Sequence, residues 1–265
     1  MEYRLHGNPP YNIVAVHGGP GAPGSVFTLS KLLSNFYGTI EPFQKSCSVM
    51  GQVEELKNQI LSVTKEPVFL FGHSWGAWIA YIFAYRFPES CKKIFLIGSG
   101  CFDVKYLSLL NERRLSKLSE DQKYEYITLI SELNKDVPDR DIKLDRLGKL
   151  AEMSDNYCVE DGTENKEDII QLDGNLYSAV WNEGSKLREN RYFTDIAGEI
   201  KVPIVVIHGK YDTTPIEGVV EPIKNKLDCL EWYEIDKCGH NPWKEKYGKD
   251  EFINIVRHEL SIDKK

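Results

Sequence analysis

Residues 67–84 decide the fold, and they read PVFLFGHSWGAWIAYIFA. The apolar run at the start is typical of a buried β-strand, and the run after the serine is typical of a buried helix. A strand that turns into a helix in one step strains its corner residue, here Ser74, and the flanking Gly72 and Gly76 let the two backbones approach. The pattern therefore predicts a serine hydroxyl above the sheet edge, at a helix N-terminus that stabilises developing negative charge.

A second glycine-rich stretch, HGGPG at residues 17–21, follows the strand-like run of residues 11–16. Glycines at the carboxyl end of a strand lie where ligands bind in open α/β sheets. Acyl transfer needs two N–H donors for the oxyanion, one from the residue after the nucleophile and one from such a loop. We expect Trp75 to supply the first donor and Gly18 or Gly19 the second, although the stretch alone also fits an ordinary turn.

A candidate acid and a candidate base each follow a later strand-like run. Residues 202–208 are apolar and lead to Asp212, and residues 230–235 lead to His240. His240 would take the proton of Ser74 and return it to the leaving group, while Asp212 would fix the tautomer and stabilise the imidazolium. The sequence therefore predicts a Ser-His-Asp catalytic site.

Three other titratable residues are alternatives to these assignments. His208 ends a strand and is a rival base, but it lies four residues before Asp212 and would more commonly shape that loop. Asp195 and Asp236 are rival acids, each at an element boundary where a capping or turn residue is the ordinary explanation. The histidines inside the two glycine motifs are expected to support their loops.

The motifs at 17–21 and 72–76, together with Gly209 to Asp212 and Gly239-His240, resemble the α/β-hydrolase superfamily, especially its proline iminopeptidase-like branch. The resemblance implies an α/β-hydrolase fold, with a mostly parallel sheet flanked by helices and a helical cap insertion. It also implies a serine hydrolase.

The chain departs from the iminopeptidase branch at two places. That branch tends to have Gly-Gly-Ser-Trp-Gly around the nucleophile, where this chain has His73 in the second position. It usually carries Asp-Gln-Arg-Gly after the next strand, where residues 41–48 here read EPFQKSCS.

The alternation of strands and helices predicts a core of residues 1–101 and 198–265, interrupted by a helical cap at 102–197. The core strands are expected near 11–16, 38–41, 67–72, 93–98, 202–208 and 230–235. The core helices are expected near 25–36, 50–64, 75–87, 215–227 and 246–260. Within the cap, Ser119 to Gln122 is a capping-box pattern that opens a helix to about Leu133, and residues 169–187 are typical of another.

The cap is expected to determine the substrate. Tyr177 and Trp181 are the candidate substrate-binding residues, while packing between cap helices is an equally good interpretation of each. The resemblance implies that an aminopeptidase of this branch binds the free amine with cap carboxylates. The cap acids are numerous and typical of a solvated face, and they are Glu152, Glu160, Asp161, Glu164, Glu167 and Asp168.

Composition limits the partners. The chain has 265 residues, 42% of them hydrophobic, which is enough for one sizeable core. A net charge of −7 offers no basic patch, so a nucleic-acid partner is not expected. The sequence shows no membrane-length apolar run, no signal-like N-terminus and no metal-ligand spacing among its six cysteines, which predicts a cytoplasmic protein with no cofactor or metal.

Three hypotheses for function follow. The leading one is a serine hydrolase of small acyl substrates, whose most specific version releases an N-terminal residue such as proline from a short peptide. The second is a carboxylesterase or lactonase with the same Ser74, Asp212 and His240. The third is a non-catalytic ligand-binding protein of this fold, which the intact set of three residues disfavours. The oligomeric state is left open.

Overall fold

A seven-stranded sheet forms the centre of the computed structural model, which describes residues 2–135, 137–160 and 173–262. The strand order is β1-β3-β2-β4-β5-β6-β7, in which β1 runs antiparallel to β3 and all other neighbours are parallel. The strands are β1 Tyr3–His6, β2 Tyr11–Val16, β3 Gly38–Pro42, β4 Val68–His73, β5 Cys91–Ile97, β6 Ile204–Gly209 and β7 Leu230–Ile235.

Helices cover both faces of the sheet. They are α1 Phe27–Leu33, α2 Val49–Val63, α3 Trp75–Arg86, α4 Leu107–Ser116, α5 Glu120–Leu133, α6 Arg140–Asp155, α7 Gly174–Glu189, α8 Tyr192–Asp195, α9 Glu217–Val220 and α10 Lys249–Ile262. The first three and the last two follow core strands, whereas α4 to α8 lie between β5 and β6. No helix in the described ranges is long and apolar enough to cross a membrane.

The hydrophobic side chains pack on both faces of the sheet, around β4 and its neighbouring strands. Every residue of β4 is buried, and ten consecutive residues of α3, Trp75 to Ala84, are buried as well. On the opposite face, Phe71 of β4 stacks on Phe95 of β5 with ring centroids 4.0 Å apart. A parallel sheet covered by helices on both faces is typical of α/β proteins, and it carries the carboxyl ends of its strands to one edge.

The six strands expected from the sequence are confirmed, with ends shifted by two residues or fewer. β1 was not expected. It has four residues without a strong alternation of apolar and polar side chains. It forms because it pairs with β3, where Leu5 lies opposite Ile40.

The expected helix at 215–227 is wrong over most of its length, because α9 has only four residues. Pro222 has no N–H to donate to the Gly218 carbonyl, which instead accepts a hydrogen bond from the Phe102 N–H at 2.8 Å.

The segment between β5 and β6 is helical, as expected. Ser119 and Gln122 form the capping box at the start of α5, which ends at Leu133 as the pattern predicted. The expected helix at 169–187 is found as α7, while residues 161–172 lie outside the described part of the chain. The division into a core at 1–101 and 198–265 and a separate cap at 102–197 stays a prediction.

Candidate active site

Ser74 lies at a sharp corner between β4 and α3. Its backbone has φ 53° and ψ −113°, a region that residues other than glycine rarely adopt. Its N–H donates to the Ile97 carbonyl of β5 at 2.9 Å, which fixes the corner against the sheet. A Cβ on Gly72 would lie 2.3 Å from the Gly76 carbonyl oxygen, so this approach of strand and helix requires glycine. The strained corner expected from the sequence is present.

The glycine loop at 17–21 packs against this corner. A Cβ on Gly18 would lie 2.8 Å from Nδ1 of His73 and 3.2 Å from Cβ of Ser74. The next residue, Gly19, has φ +46°. The structure therefore brings the predicted donors Gly18 and Gly19 to the same place as Ser74 and Trp75, which is the first residue of α3.

His17 fixes the orientation of this loop. Its Nδ1 donates to the Gly18 carbonyl at 3.0 Å, and its Nε2 accepts from the Gln44 N–H at 3.4 Å. Burial lowers the pKa of His17 to about 4, so the ring is neutral and can act as donor on one side and acceptor on the other. Because a trans peptide places its C=O and N–H on opposite sides, holding the Gly18 carbonyl towards His17 turns the Gly19 N–H away from it.

Asp212 and His240 are joined directly. Nδ1 of His240 lies 2.7 Å from Oδ2 of Asp212, and the other carboxylate oxygen accepts the Thr214 N–H at 2.9 Å. Burial opposes ionisation of Asp212, but His240, His208 and the Thr214 N–H outweigh it and lower the carboxyl pKa. Burial alone would lower the pKa of His240, but the carboxylate raises it above its ordinary value.

The imidazole of His240 lies beside the corner that carries Ser74. It sits 4.8 Å from the ring of His73, measured between centroids, and Nε2 of His73 donates to the His240 carbonyl at 3.2 Å. A Cβ on Gly98, the residue after β5, would lie 3.0 Å from Nδ1 of His240. Among the described residues no hydrogen bond joins the Ser74 hydroxyl to His240.

The rival residues lie in less suitable places. His208 is buried, and its Nε2 contacts the Thr214 carbonyl at 2.9 Å and Oδ2 of Asp212 at 3.2 Å, so it faces the acid. Burial lowers the pKa of His208, which keeps this imidazole neutral. Asp195 is exposed on α8, and Asp236 is exposed and paired with Lys210 at 2.9 Å.

Two acidic residues that sequence reasoning did not select hold the site together. The carboxylate of Asp155, at the end of α6, binds Arg114 of α4 at 2.8 Å and the hydroxyl of Thr213, while its backbone carbonyl accepts the His240 N–H at 2.9 Å. Glu245 is fully buried and accepts three backbone N–H groups, those of Tyr157, Cys158 and Gly239, at 2.8, 2.6 and 2.9 Å. Nothing in the local sequence pattern distinguishes either acid from its neighbours.

The family is shown by a match over most of the chain. The model of the alpha/beta hydrolase fold family matches residues 41–247. The chain belongs to the α/β-hydrolase fold family.

Several solved structures are similar to this chain over nearly its whole length. Proline iminopeptidase from Mycobacterium smegmatis is 14% identical, with a TM-score of 0.66 over 98% of this chain and 93% of that one. An N-acyl homoserine lactone degrading enzyme is 16% identical, with a TM-score of 0.62 over 97% and 95%. An epoxide hydrolase is 17% identical, with a TM-score of 0.65 over 96% and 92%. These likenesses show the fold alone, and no curated protein matches the chain.

Aromatic side chains of this α/β-hydrolase connect α7 to the helix that begins at the nucleophile. Tyr177 stacks on Trp181 with centroids 6.0 Å apart, and Trp181 stacks on Trp78 at 6.1 Å and approaches Trp75 at 6.2 Å. Trp181 thus lies on the face of α7 that meets α3, whereas Tyr177 packs against Trp181 and a cluster of apolar side chains from α5 and α6.

The described part of this hydrolase contains no cluster of three histidine, cysteine or acidic side chains placed to hold a metal ion.

Proposed function

We propose that this chain is a serine hydrolase that cleaves small acyl substrates through an acyl-enzyme at Ser74. The observation that carries the proposal is the 2.7 Å hydrogen bond from His240 to the buried Asp212, beside a serine held at φ 53°. A serine hydroxyl is a weak nucleophile unless an adjacent base removes its proton, and this arrangement supplies an oriented base.

The steps follow from the geometry. Nε2 of His240 takes the proton as the Ser74 oxygen attacks the carbonyl carbon, and the N–H groups of Trp75 and of Gly18 or Gly19 stabilise the resulting oxyanion. His240 then gives the proton to the leaving group, and the acyl group stays on the serine. Water, deprotonated by the same imidazole, then attacks the acyl carbon, the bond from that carbon to the Ser74 oxygen breaks, and His240 returns the proton to this oxygen as the acid leaves.

We favour an ester or lactone over a peptide with a free N-terminal amine. Binding that amine would require an available carboxylate near the site, as the resemblance to iminopeptidases implies. Three described acids of this segment are already engaged: Asp155 binds Arg114, Glu160 binds Lys249 at 2.7 Å, and Glu183 accepts the N–H of the first residue of α2 at 2.8 Å. The predicted acids Asp161, Glu164, Glu167 and Asp168 lie outside the described residues.

Labelling with a fluorophosphonate probe tests the nucleophile. The wild-type protein should be labelled and the Ser74→Ala variant should not, because the probe forms a covalent bond only with an activated serine. Equal labelling of both proteins would overturn the assignment, and an unlabelled wild type would favour the non-catalytic binding protein.

A substrate panel separates the remaining alternatives. It compares prolyl and alanyl arylamides, a short-chain aryl ester and a lactone. Hydrolysis of the ester or lactone with no turnover of the arylamides is the expected result. Preferential cleavage of the prolyl arylamide would instead support the iminopeptidase alternative.

A further inference from the structure

Arg188 is a buried cation that has no counter-ion among the described residues. It lies in the last turn of α7 and is 8% exposed, with its guanidinium carbon 5.2 Å from the ring centroid of Trp78. Its Nε is fully enclosed and has no hydrogen-bond acceptor. No oxygen atom in the described ranges accepts a hydrogen bond from any of its three nitrogens, and no carboxylate there forms an ion pair with it.

The groups nearest to Arg188 do not neutralise it. Burial raises the pKa of the Cys101 thiol to about 12, so this neighbour is uncharged near neutral pH. Glu189 is the next residue of the helix and is exposed to solvent. Burial lowers the pKa of Arg188, yet a guanidinium stays protonated in proteins. Buried charges are normally paired, and contact with one indole face only partly compensates for the loss of water.

Arg188 lies on the face of α7 that packs against α3, the helix that follows Ser74. Trp181, Gly184 and Arg188 are spaced by three and four residues, so they share one face of α7. That face packs on α3: a Cβ on Gly184 would lie 2.6 Å from the Trp75 ring. Trp78, which Arg188 contacts, lies four residues after Ser74, about 6 Å along the helix axis.

We propose that Arg188 binds a carboxylate at the far end of the substrate's acyl chain, so that the enzyme hydrolyses monoesters of short dicarboxylic acids. The inference rests on the proposed function, because the acyl carbonyl must lie at Ser74 while the carboxylate reaches past Trp78. A planar guanidinium suits this ligand because it can donate two parallel hydrogen bonds to one carboxylate. The bound substrate would supply the missing negative charge.

Esters of matched length test the proposal. The p-nitrophenyl monoesters of glutaric and adipic acid carry the terminal carboxylate, and p-nitrophenyl pentanoate and hexanoate are the neutral controls. Wild type should have the higher kcat/KM on the anionic esters. Arg188→Gln should lower kcat/KM on the anionic esters about 10- to 100-fold, since a hydrogen bond between charged groups is lost. Its kcat/KM on the neutral esters should stay nearly the same as in wild type.

Arg257→Gln is the matched control, because Arg257 is an exposed arginine on α10 whose side chain bonds Asn254 of the same helix and no other described residue. This variant should keep the wild-type preference. A wild type that is labelled by fluorophosphonate but prefers neutral esters would overturn the role of Arg188 and leave the serine hydrolase standing. A wild type that is neither labelled nor active on any ester would overturn both.

A second measurement does not depend on the folding of a variant. Glutarate should slow fluorophosphonate labelling of wild type, whereas the neutral glutaramide should not, because only the dianion offers a carboxylate to Arg188. Equal rates of labelling with both compounds would contradict the proposal.

Discussion

Oδ2 of Asp212 is shared by two imidazoles, those of His240 at 2.7 Å and His208 at 3.2 Å. Only His240 has a side chain that is partly exposed, whereas that of His208 is 1% exposed and bonded to the Thr214 carbonyl. This asymmetry assigns different roles to the two rings. His240 can meet a substrate, and His208 is placed to hold the carboxylate in the orientation that His240 requires.

The pH dependence of kcat/KM should report the ionisation of His240. The imidazole must be neutral to accept a proton, and Asp212 raises its pKa above the ordinary value of 6.5, so activity should fall as pH drops through a value above 6.5. Asp212→Asn removes the anion, and it should lower kcat by about 10⁴-fold and move this acid limb to lower pH. Initial rates on an aryl ester between pH 5 and 9 measure both effects. A flat wild-type profile over the acid range would contradict the assignment of His240 as base.

Gly18 provides a second test at the residue scale. In Gly18→Ala the new Cβ would lie 2.8 Å from Nδ1 of His73 and 3.2 Å from Cβ of Ser74, so the loop and the nucleophile must move apart. Removing one oxyanion donor commonly lowers kcat by about 10²- to 10³-fold, and we expect a loss of that size.

Gly148→Ala is the matched control, because its Cβ would meet no atom within 4 Å. It should leave kcat unchanged and stabilise α6 by up to about 1 kcal/mol, as alanine favours helix over glycine. Comparable loss of activity in both variants would show that the effect does not arise at the oxyanion loop.

At the scale of elements, local chemistry explains what was predictable. β4, the corner at Ser74 and α3 form one continuous stretch whose apolar runs and glycines dictate a strand, a turn and a helix. The capping box of α5 is likewise local. β1 depends on pairing with β3, a tertiary contact that no single stretch of sequence displays. α9 ends early at a local signal, Pro222, which cannot donate to the Gly218 carbonyl, and the Phe102 N–H bonds that carbonyl instead.

The end of α6 has a role that the sequence did not suggest. The sequence predicted that the insertion sets specificity while the core sets chemistry. Asp155 connects the two, because its carboxylate holds Thr213, the neighbour of Asp212, and its carbonyl holds the backbone of His240. The end of α6 is therefore in contact with both loops that carry the proposed catalytic pair, Asp212 and His240.

Asp155→Ala should consequently lower kcat by a similar factor on every substrate. It should also destabilise the protein by about 3 kcal/mol, since Arg114 would be left largely buried without its partner. Trp181→Ala, by contrast, should change KM and substrate preference. Kinetics on several esters measure kcat and KM for both variants, and urea unfolding measures their free energies of unfolding. A selective change in KM for Asp155→Ala would show that the end of α6 acts on substrate binding instead.

At the scale of the whole molecule, one buried carboxylate joins the segment between β5 and β6 to the loop that carries His240. Glu245 accepts the N–H groups of Tyr157 and Cys158 from the insertion and that of Gly239 from the loop of His240. Two backbone hydrogen bonds join the same segments. The Glu160 N–H donates to the Lys244 carbonyl at 2.9 Å, and the Lys246 N–H donates to the Cys158 carbonyl at 2.8 Å. The insertion is thus anchored beside the proposed base as well as at α6.

Glu245→Gln tests this junction with little change in shape. An amide has one acceptor oxygen in place of two, so at least one of the three N–H groups loses its acceptor in a fully buried site. The loss should destabilise the fold by about 1–3 kcal/mol and accelerate amide exchange at Tyr157 and Cys158. Urea unfolding and hydrogen exchange by mass spectrometry measure the two effects. Glu231→Gln, at an exposed position of β7, should change neither. Unaltered exchange at 157–158 in Glu245→Gln would mean that the pairing with 244–246 holds the insertion without the carboxylate.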